Sequence, residues 1–269
     1  QYEYDRVMRM LGRYDGNIVA LLSAHQSIGV PQPLKVFGTE EQKNKFLPRI
    51  AAGAISAFAL TEKNVGSDPA RMDTIVKTLP NGDYLLNGVK LWCTNGTLAE
   101  LIVVMARHET TDKKTKISAF VLDMSSAGVK IEHRCRFMGL KALSNAVISF
   151  TDVIIPKENL IGEEGHGLKI ALTTLNAGRL AVPAGCVGCV DKCLDIVKRW
   201  TNDRVQWGHP IGKHEAIAHK VSDMVATGYA MEAVSILSSK LACIPGYDIR
   251  LEAAAAKEFN TFWGWQIID

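Results

Sequence analysis

The chain has 269 residues, 47% of them hydrophobic and 22% charged, with a formal net charge of +3. That length allows one large or two modest domains with a real core, and the balance is that of an ordinary globular protein. The charge excess is too small to argue for nucleic acid or a membrane surface as a partner.

No apolar run approaches the roughly 20 residues of a membrane span, and no basic stretch followed by an apolar core opens the chain. Gln1 lies inside a segment of helical pattern, Tyr4 to Tyr14. At the other end Asp269 interrupts the amphipathic run Phe259, Phe262, Trp263, Gln266, Ile267. Both ends read as cut, so the expectation is the middle of a longer protein.

Residues 1–54 read as helical. Ile18, Val19, Leu21 and Leu22 form an apolar cluster leading towards His25 and Gly29. The small residues Ser23, Ala24, Ser27 and Gly29 suit a deep cavity as well as close packing. After Pro31 and Pro33, Thr39-Glu40-Glu41-Gln42 has the form of a capping box and predicts a helix through Phe46, Leu47 and Ile50. Gly53 is its expected stop.

From Ser56 to about Pro156 the pattern changes to short β-like runs with turn punctuation, which predicts an all-β domain over 55–160. Asn81-Gly82 signals a hairpin between Thr74–Leu79 and Tyr84–Asn87. Leu101–Ala106, Ile117–Leu122, Val129–Glu132 and Ala146–Phe150 continue the series.

The helical period returns over 161–269. A long helix is expected from Ile170 through Val197, kinked at Pro183. Gly208-His209-Pro210 interrupts it, and further helices run from Glu215 to Leu241 and from Arg250 onward.

Six cysteines without a regular framework suggest a reducing compartment. Cys186, Cys189 and Cys193 have a spacing that invites a metal. On a helix, however, they share one face with Ala184, Val187, Val190 and Leu194, and no fourth ligand is near. They are read as small packing residues, and no metal site is assigned.

Two segments carry the functional signal. Phe58-Ala59-Leu60-Thr61-Glu62-Lys63-Asn64-Val65-Gly66-Ser67-Asp68 reads as a strand entering a polar turn. Leu91-Trp92-Cys93-Thr94-Asn95-Gly96 reads as a strand that sets an indole beside a hydroxyl. A flavin ring needs partners for its polar edge and flat apolar cover for one face, and adjacent strand ends can supply both. On composition alone, Trp92 as core and the threonines as strand formers is the simpler reading.

The two segments, about thirty residues apart around a hairpin, resemble the flavin-facing segments of the acyl-CoA dehydrogenase family. Further stretches resemble it too: Gly38 to Pro48, Met138-Gly139-Leu140-Lys141, Phe150-Thr151-Asp152-Val153, and Gly162-Glu163 with Gly165 and Gly167. The variant pattern is most similar to the very-long-chain branch. The resemblance implies an α+β fold: N-terminal helices (1–54), a central β-domain (55–160) and the first part of a C-terminal helical bundle (161–269).

By the same resemblance, Phe58, Leu60, Thr61, Trp92, Cys93 and Thr94 would contact FAD. Arg204, Gln206 and Trp207 would serve its phosphates and adenine across a subunit interface, with Trp207 in place of the usual phenylalanine. Ser67, Asn176, Ala177, Gly178 and Arg179 would line the acyl-CoA channel. Two departures stand out. Lys63 replaces a common proline, and Glu215 follows His214 where a glutamine often helps to hold FAD.

The implied reaction is α,β-dehydrogenation of a fatty acyl-CoA thioester, with electrons passed to an electron-transfer flavoprotein. The implied assembly is a homodimer or homotetramer, in a mitochondrial matrix or inner-membrane face or a bacterial cytoplasm. No residue of this sequence is assigned as the catalytic base. Gly178 occupies the place next to the arginine where a minority of the family carries a glutamate, so the expected glutamate lies beyond Asp269. Two alternatives stay open: an acyl-CoA oxidase-like flavoenzyme, and a family member used for assembly or as a scaffold.

Overall fold

The computed structural model describes residues 1–109 and 116–269. The chain separates into two compact units, one formed by 21–175 and the other by 1–20 together with 176–269.

The 21–175 unit is a β-sheet flanked by helices. It contains α3 (Pro31–Phe37), α4 (Glu40–Ala51) and eight strands. These are β1 (Ser56–Ala59), β2 (Ile75–Thr78), β3 (Tyr84–Cys93), β4 (Leu101–His108), β5 (Ile117–Asp123), β6 (Val129–Arg134), β7 (Ala146–Ile155) and β8 (Leu160–Ile161). The strand order is β6-β7-β3-β2-β4-β5-β8. Strand β4 is the hub. Its first half pairs in parallel with β1 and its last two residues pair in parallel with β2. This order places the end of β1 near β3, where the two motif segments meet.

Period-two alternation divides the strand residues between two cores. Ile102, Val104 and Ala106 of β4 point into one core with Ala57, Ala59, Phe120, Leu122 and Ile148. Leu101, Val103 and Met105 point to the other face, against Leu34, Phe46 and Ile170 of the helical cover. Nearly continuous burial along β4 and β5 follows from this two-sided packing.

The Asn81-Gly82 hairpin forms, with Gly82 at φ +89°. Strand β3 does not stop at Asn87 as the sequence suggested. It runs on to Cys93, so the hairpin arm and the second motif segment are one strand. The capping box on α4 is also present. Thr39 Oγ1 accepts from the Gln42 amide at 3.2 Å, and Gln42 Oε1 accepts from the Thr39 amide at 3.1 Å.

In the other unit α1 (Tyr2–Gly12), followed in the chain by α2 (Gly16–Leu22), packs against the later part of α5 (Gly167–Asp203) and α6 (Glu215–Leu241), and α6 packs on α7 (Arg250–Ile268). Helix α5 continues unbroken through Pro183. Cys186 packs beside Val187, Val190 and Met231, and burial pushes its thiol up to about 11. A two-stranded ribbon, β9 (Val205–Gln206) with β10 (His209–Pro210), separates α5 from α6.

Candidate functional site

Strand β3 carries an irregularity that builds the site. Lys90 pairs with Ile148 and Cys93 with Ala146, so Leu91 and Trp92 together oppose the single residue Val147. This extra residue is a β-bulge. Strict alternation would turn Lys90 and Trp92 inward together. The bulge instead turns Trp92 outward, 57% exposed with φ +56°, and returns Cys93 to the core at 1% exposure. A bulky residue at positive φ is strained and persists only where its surroundings hold it.

Trp92 borders a cleft of about 280 Å³ lined by Ala24, Ile28, Phe58, Leu60, Thr61, Gly66, Leu91, Trp92, Thr94 and Leu175. Five of the six motif residues assigned from the sequence are therefore brought together. The sixth, Cys93, is not among them. Its thiol lies in the sheet core, and burial pushes it up to about 12. Most of the lining side chains are apolar, and Thr61 and Thr94 are the two that carry hydroxyls. Thr94 Oγ1 donates to Asn145 Oδ1 at 2.8 Å, while the Thr61 hydroxyl has no hydrogen-bond partner among the described residues.

The strand ends are fixed by polar contacts the sequence reading did not assign. Leu91 N donates to Thr61 O at 2.9 Å, tying the two segments directly. Behind them Lys90 Nζ donates to Glu62 Oε1 at 2.7 Å, with both side chains buried. Burial alone would raise the Glu62 carboxyl, but the Lys90 ammonium and the Asp73 and Thr74 amides hold it below the usual carboxylate range. At the start of β1, Ser56 Oγ lies 2.9 Å from His25 Nδ1, and the Ser56 amide donates to the same nitrogen at 3.1 Å. Burial lowers the His25 pKa, so the ring is held neutral as an acceptor. Asn95 Nδ2 donates to Ser56 O at 3.2 Å and joins this network to the second segment.

Ser67 stands exposed on the turn and does not line the cleft. Asn176, Ala177, Gly178 and Arg179 follow one another on α5 in the other unit, where Arg179 Nη1 donates to Asn176 Oδ1 at 3.1 Å. Arg204, Gln206 and Trp207 belong to the ribbon region of that unit, all exposed. Trp207 is 87% exposed at φ +51° and meets the His214 ring edge-on at 5.5 Å. His214 Nε2 lies 3.1 Å from Gln206 O. Glu215 begins α6 with an exposed carboxylate 3.8 Å from His219.

The cleft residues missed from the sequence are Ile28 and Leu175; Gly66 and Leu91 lay in the two segments without an assigned role, and Ala24 was read only as a small residue suited to a cavity or to packing. The one signal for the ion pair was a lone lysine between the apolar Val89 and Leu91 of β3. None of the ten lining residues is acidic, so the cleft as described holds no general base. Its lining nonetheless has the chemistry a flavin ring needs: a flat indole, apolar side chains and two threonine hydroxyls.

Comparison with known proteins gives matches along the whole chain. Residues 2–54 match the N-terminal domain of acyl-CoA dehydrogenases, 57–153 the middle domain and 165–269 the C-terminal domain. A probable acyl-CoA dehydrogenase, FadE10, of Mycobacterium tuberculosis (strain ATCC 25618 / H37Rv) is 54% identical over 97% of this chain and 40% of its own length. The mitochondrial very long-chain specific acyl-CoA dehydrogenase of Homo sapiens is 35% identical over 99% of this chain and 42% of its own. The chain thus spans about 40% of the curated relatives it matches. The butyryl-CoA dehydrogenase structure from Megasphaera elsdenii superposes with a TM-score of 0.91 at 32% identity, covering 97% of this chain and 68% of that one. An acyl-CoA dehydrogenase from Bacillus anthracis, complexed with FAD, gives 0.83 at 31% identity, covering 98% and 47%.

Proposed function

Because this chain belongs to the acyl-CoA dehydrogenase family, we propose that it is the cofactor-seating part of a FAD-dependent enzyme that introduces an α,β double bond into a fatty acyl-CoA thioester. The observation that carries this reading is the bulge at Leu91–Trp92, which turns an indole out of the sheet and over a cleft shared with Phe58, Leu60 and Thr61.

Phe58, Leu60, Thr61, Trp92 and Thr94 would hold the ring, and the flavin, when bound, supplies the two-electron acceptor. The apolar walls exclude water, which strengthens the hydrogen bonds that polarise a thioester. Thr61 contributes its hydroxyl to the polar edge, and Thr94 is fixed in orientation by Asn145. Arg204, Gln206 and Trp207 are proposed to contact the phosphate and adenine end, a guanidinium fork being suited to phosphate oxygens. Ser67 and the Asn176–Arg179 stretch are proposed for the acyl-CoA. The α-proton requires a carboxylate with a pKa raised by burial, and that group is assigned to the longer protein outside residues 1–269.

The proposed electron acceptor is an electron-transfer flavoprotein, the proposed assembly a homodimer or homotetramer, and the proposed compartment a mitochondrial matrix or inner-membrane face, or a bacterial cytoplasm. No helix among the described residues is long and apolar enough to cross a membrane.

The test is an anaerobic visible titration of the full-length protein with acyl-CoAs of increasing chain length. Bleaching of the flavin band is expected, and the most effective chain length defines the substrate. A flavin band that no acyl-CoA bleaches would remove the dehydrogenase reading. Hydrogen peroxide formed in air at the rate of turnover would replace the flavoprotein acceptor by oxygen.

A further inference from the structure

Among the described residues of the 21–175 unit Lys90 is the most completely buried charge, with none of its side chain exposed. Its ammonium donates to Glu62 Oε1 at 2.7 Å, to Leu60 O at 3.1 Å and to Met72 Sδ at 3.8 Å. Glu62 in turn accepts from the Asp73 amide at 2.5 Å and the Thr74 amide at 3.1 Å. Three stretches of chain therefore converge on one ion pair: the turn after β1, the segment entering β2, and β3 at the residue before its bulge. A buried pair is about as stabilising as apolar side chains of the same volume, so stability alone does not account for it. What it adds is direction. Apolar contacts let neighbouring strands slide, whereas these bonds fix both the distance and the register.

The atoms fixed in this way are the immediate neighbours of the cleft. Leu60 O precedes Thr61, and Lys90 precedes Leu91 and Trp92. The Leu91 amide bond to Thr61 O then transmits the same register to the cleft wall.

We infer that the buried Glu62–Lys90 pair is a positioning element that sets the spacing of Thr61 against Trp92, and through them the seat of the flavin. This rests on the flavin reading given above. Neither residue lines the cleft, and both act through their neighbours.

The experiment uses the full-length protein and the variants Glu62→Gln, Lys90→Met and the double variant. The double variant leaves no unpaired charge and keeps the side-chain volumes, so it folds even if a single variant does not. Four readouts are taken: FAD affinity by titration, the shape of the bound flavin's visible band, amide exchange at Leu91, Asp73 and Thr74, and the kcat and KM of turnover. The double variant is expected to unfold cooperatively yet bind FAD about tenfold or more weakly. Its flavin band shape changes, exchange at those three amides accelerates, and kcat falls by a larger factor than KM rises. Wild-type affinity, band shape and exchange in the double variant would overturn the inference. If the unsubstituted protein binds no FAD, the flavin reading fails separately. The amide exchange then decides the clamp alone: acceleration at the three sites supports it and unchanged exchange sinks it.

Discussion

Trp92 shows how one residue's backbone state decides which side chain a cleft presents. Its positive φ costs on the order of 1–3 kcal/mol, and its ring is more than half exposed, so the fold gains little from the indole. Trp92→Gly is therefore expected to leave unfolding stability within about 1 kcal/mol of wild type. The same change weakens FAD binding about tenfold or more, read by flavin titration. Asp5 is a second case, far from the cleft in sequence. It is 3% exposed, and burial pushes its carboxyl up to about 6 against the hydrogen bonds donated by Ser239 (2.6 Å) and Gln1 (2.8 Å). A carboxyl raised in the fold keeps its proton where the unfolded chain has released it. Stability therefore falls as pH rises between roughly 4 and 6, and the loss is complete above that window. Asp5→Asn removes this slope and is expected to gain on the order of 2 kcal/mol at pH 7 and nothing near pH 4, measured by denaturant melts at both.

At the scale of elements, the end of α4 and the crossing of α1 with α5 give contrasting predictions. Thr39→Ala loses one cap bond and costs about 1 kcal/mol. Gln42→Ala costs more, about 2–3 kcal/mol, because the buried side chain also donates to the carbonyls of Glu158 and Leu160, both at 2.7 Å. Their ranking in chemical melts is the check. At Gly188 an added Cβ would run into the Arg9 carbonyl, so α1 approaches α5 only because that position has no side chain. Gly188→Ala is expected to cost about 1–3 kcal/mol by overpacking, with the bidentate Arg9–Asp191 contacts of 2.9 and 3.1 Å disturbed as well. The capping box was legible because its signal is confined to four residues. The α1–α5 approach was not, because nothing near Gly188 in sequence names Arg9 as its neighbour.

For the whole molecule, the cleft lined without a carboxylate leads to a simple expectation. Residues 1–269 expressed alone are expected to give no acyl-CoA turnover. Turnover by these residues alone would place a base among them. Of the proposed contacts, those for the flavin ring fall in 21–175, and those for the phosphate end and the acyl-CoA from Asn176 onward fall among the residues of the other unit.

The sequence by itself determined the α, β, α order, the hairpin at Asn81-Gly82, the cap on α4 and the two segments that line the cleft. These are periodic or local signals, carried by residues a few positions apart. Tertiary structure alone decided that Trp92 faces out and Cys93 faces in, because the bulge exists only in the register of β3 against β7. It alone decided that Glu62 and Lys90, 28 residues apart, meet in the dark of the sheet. Either charge read singly belongs on a surface, and only a fold that brings both to one point makes their burial tolerable.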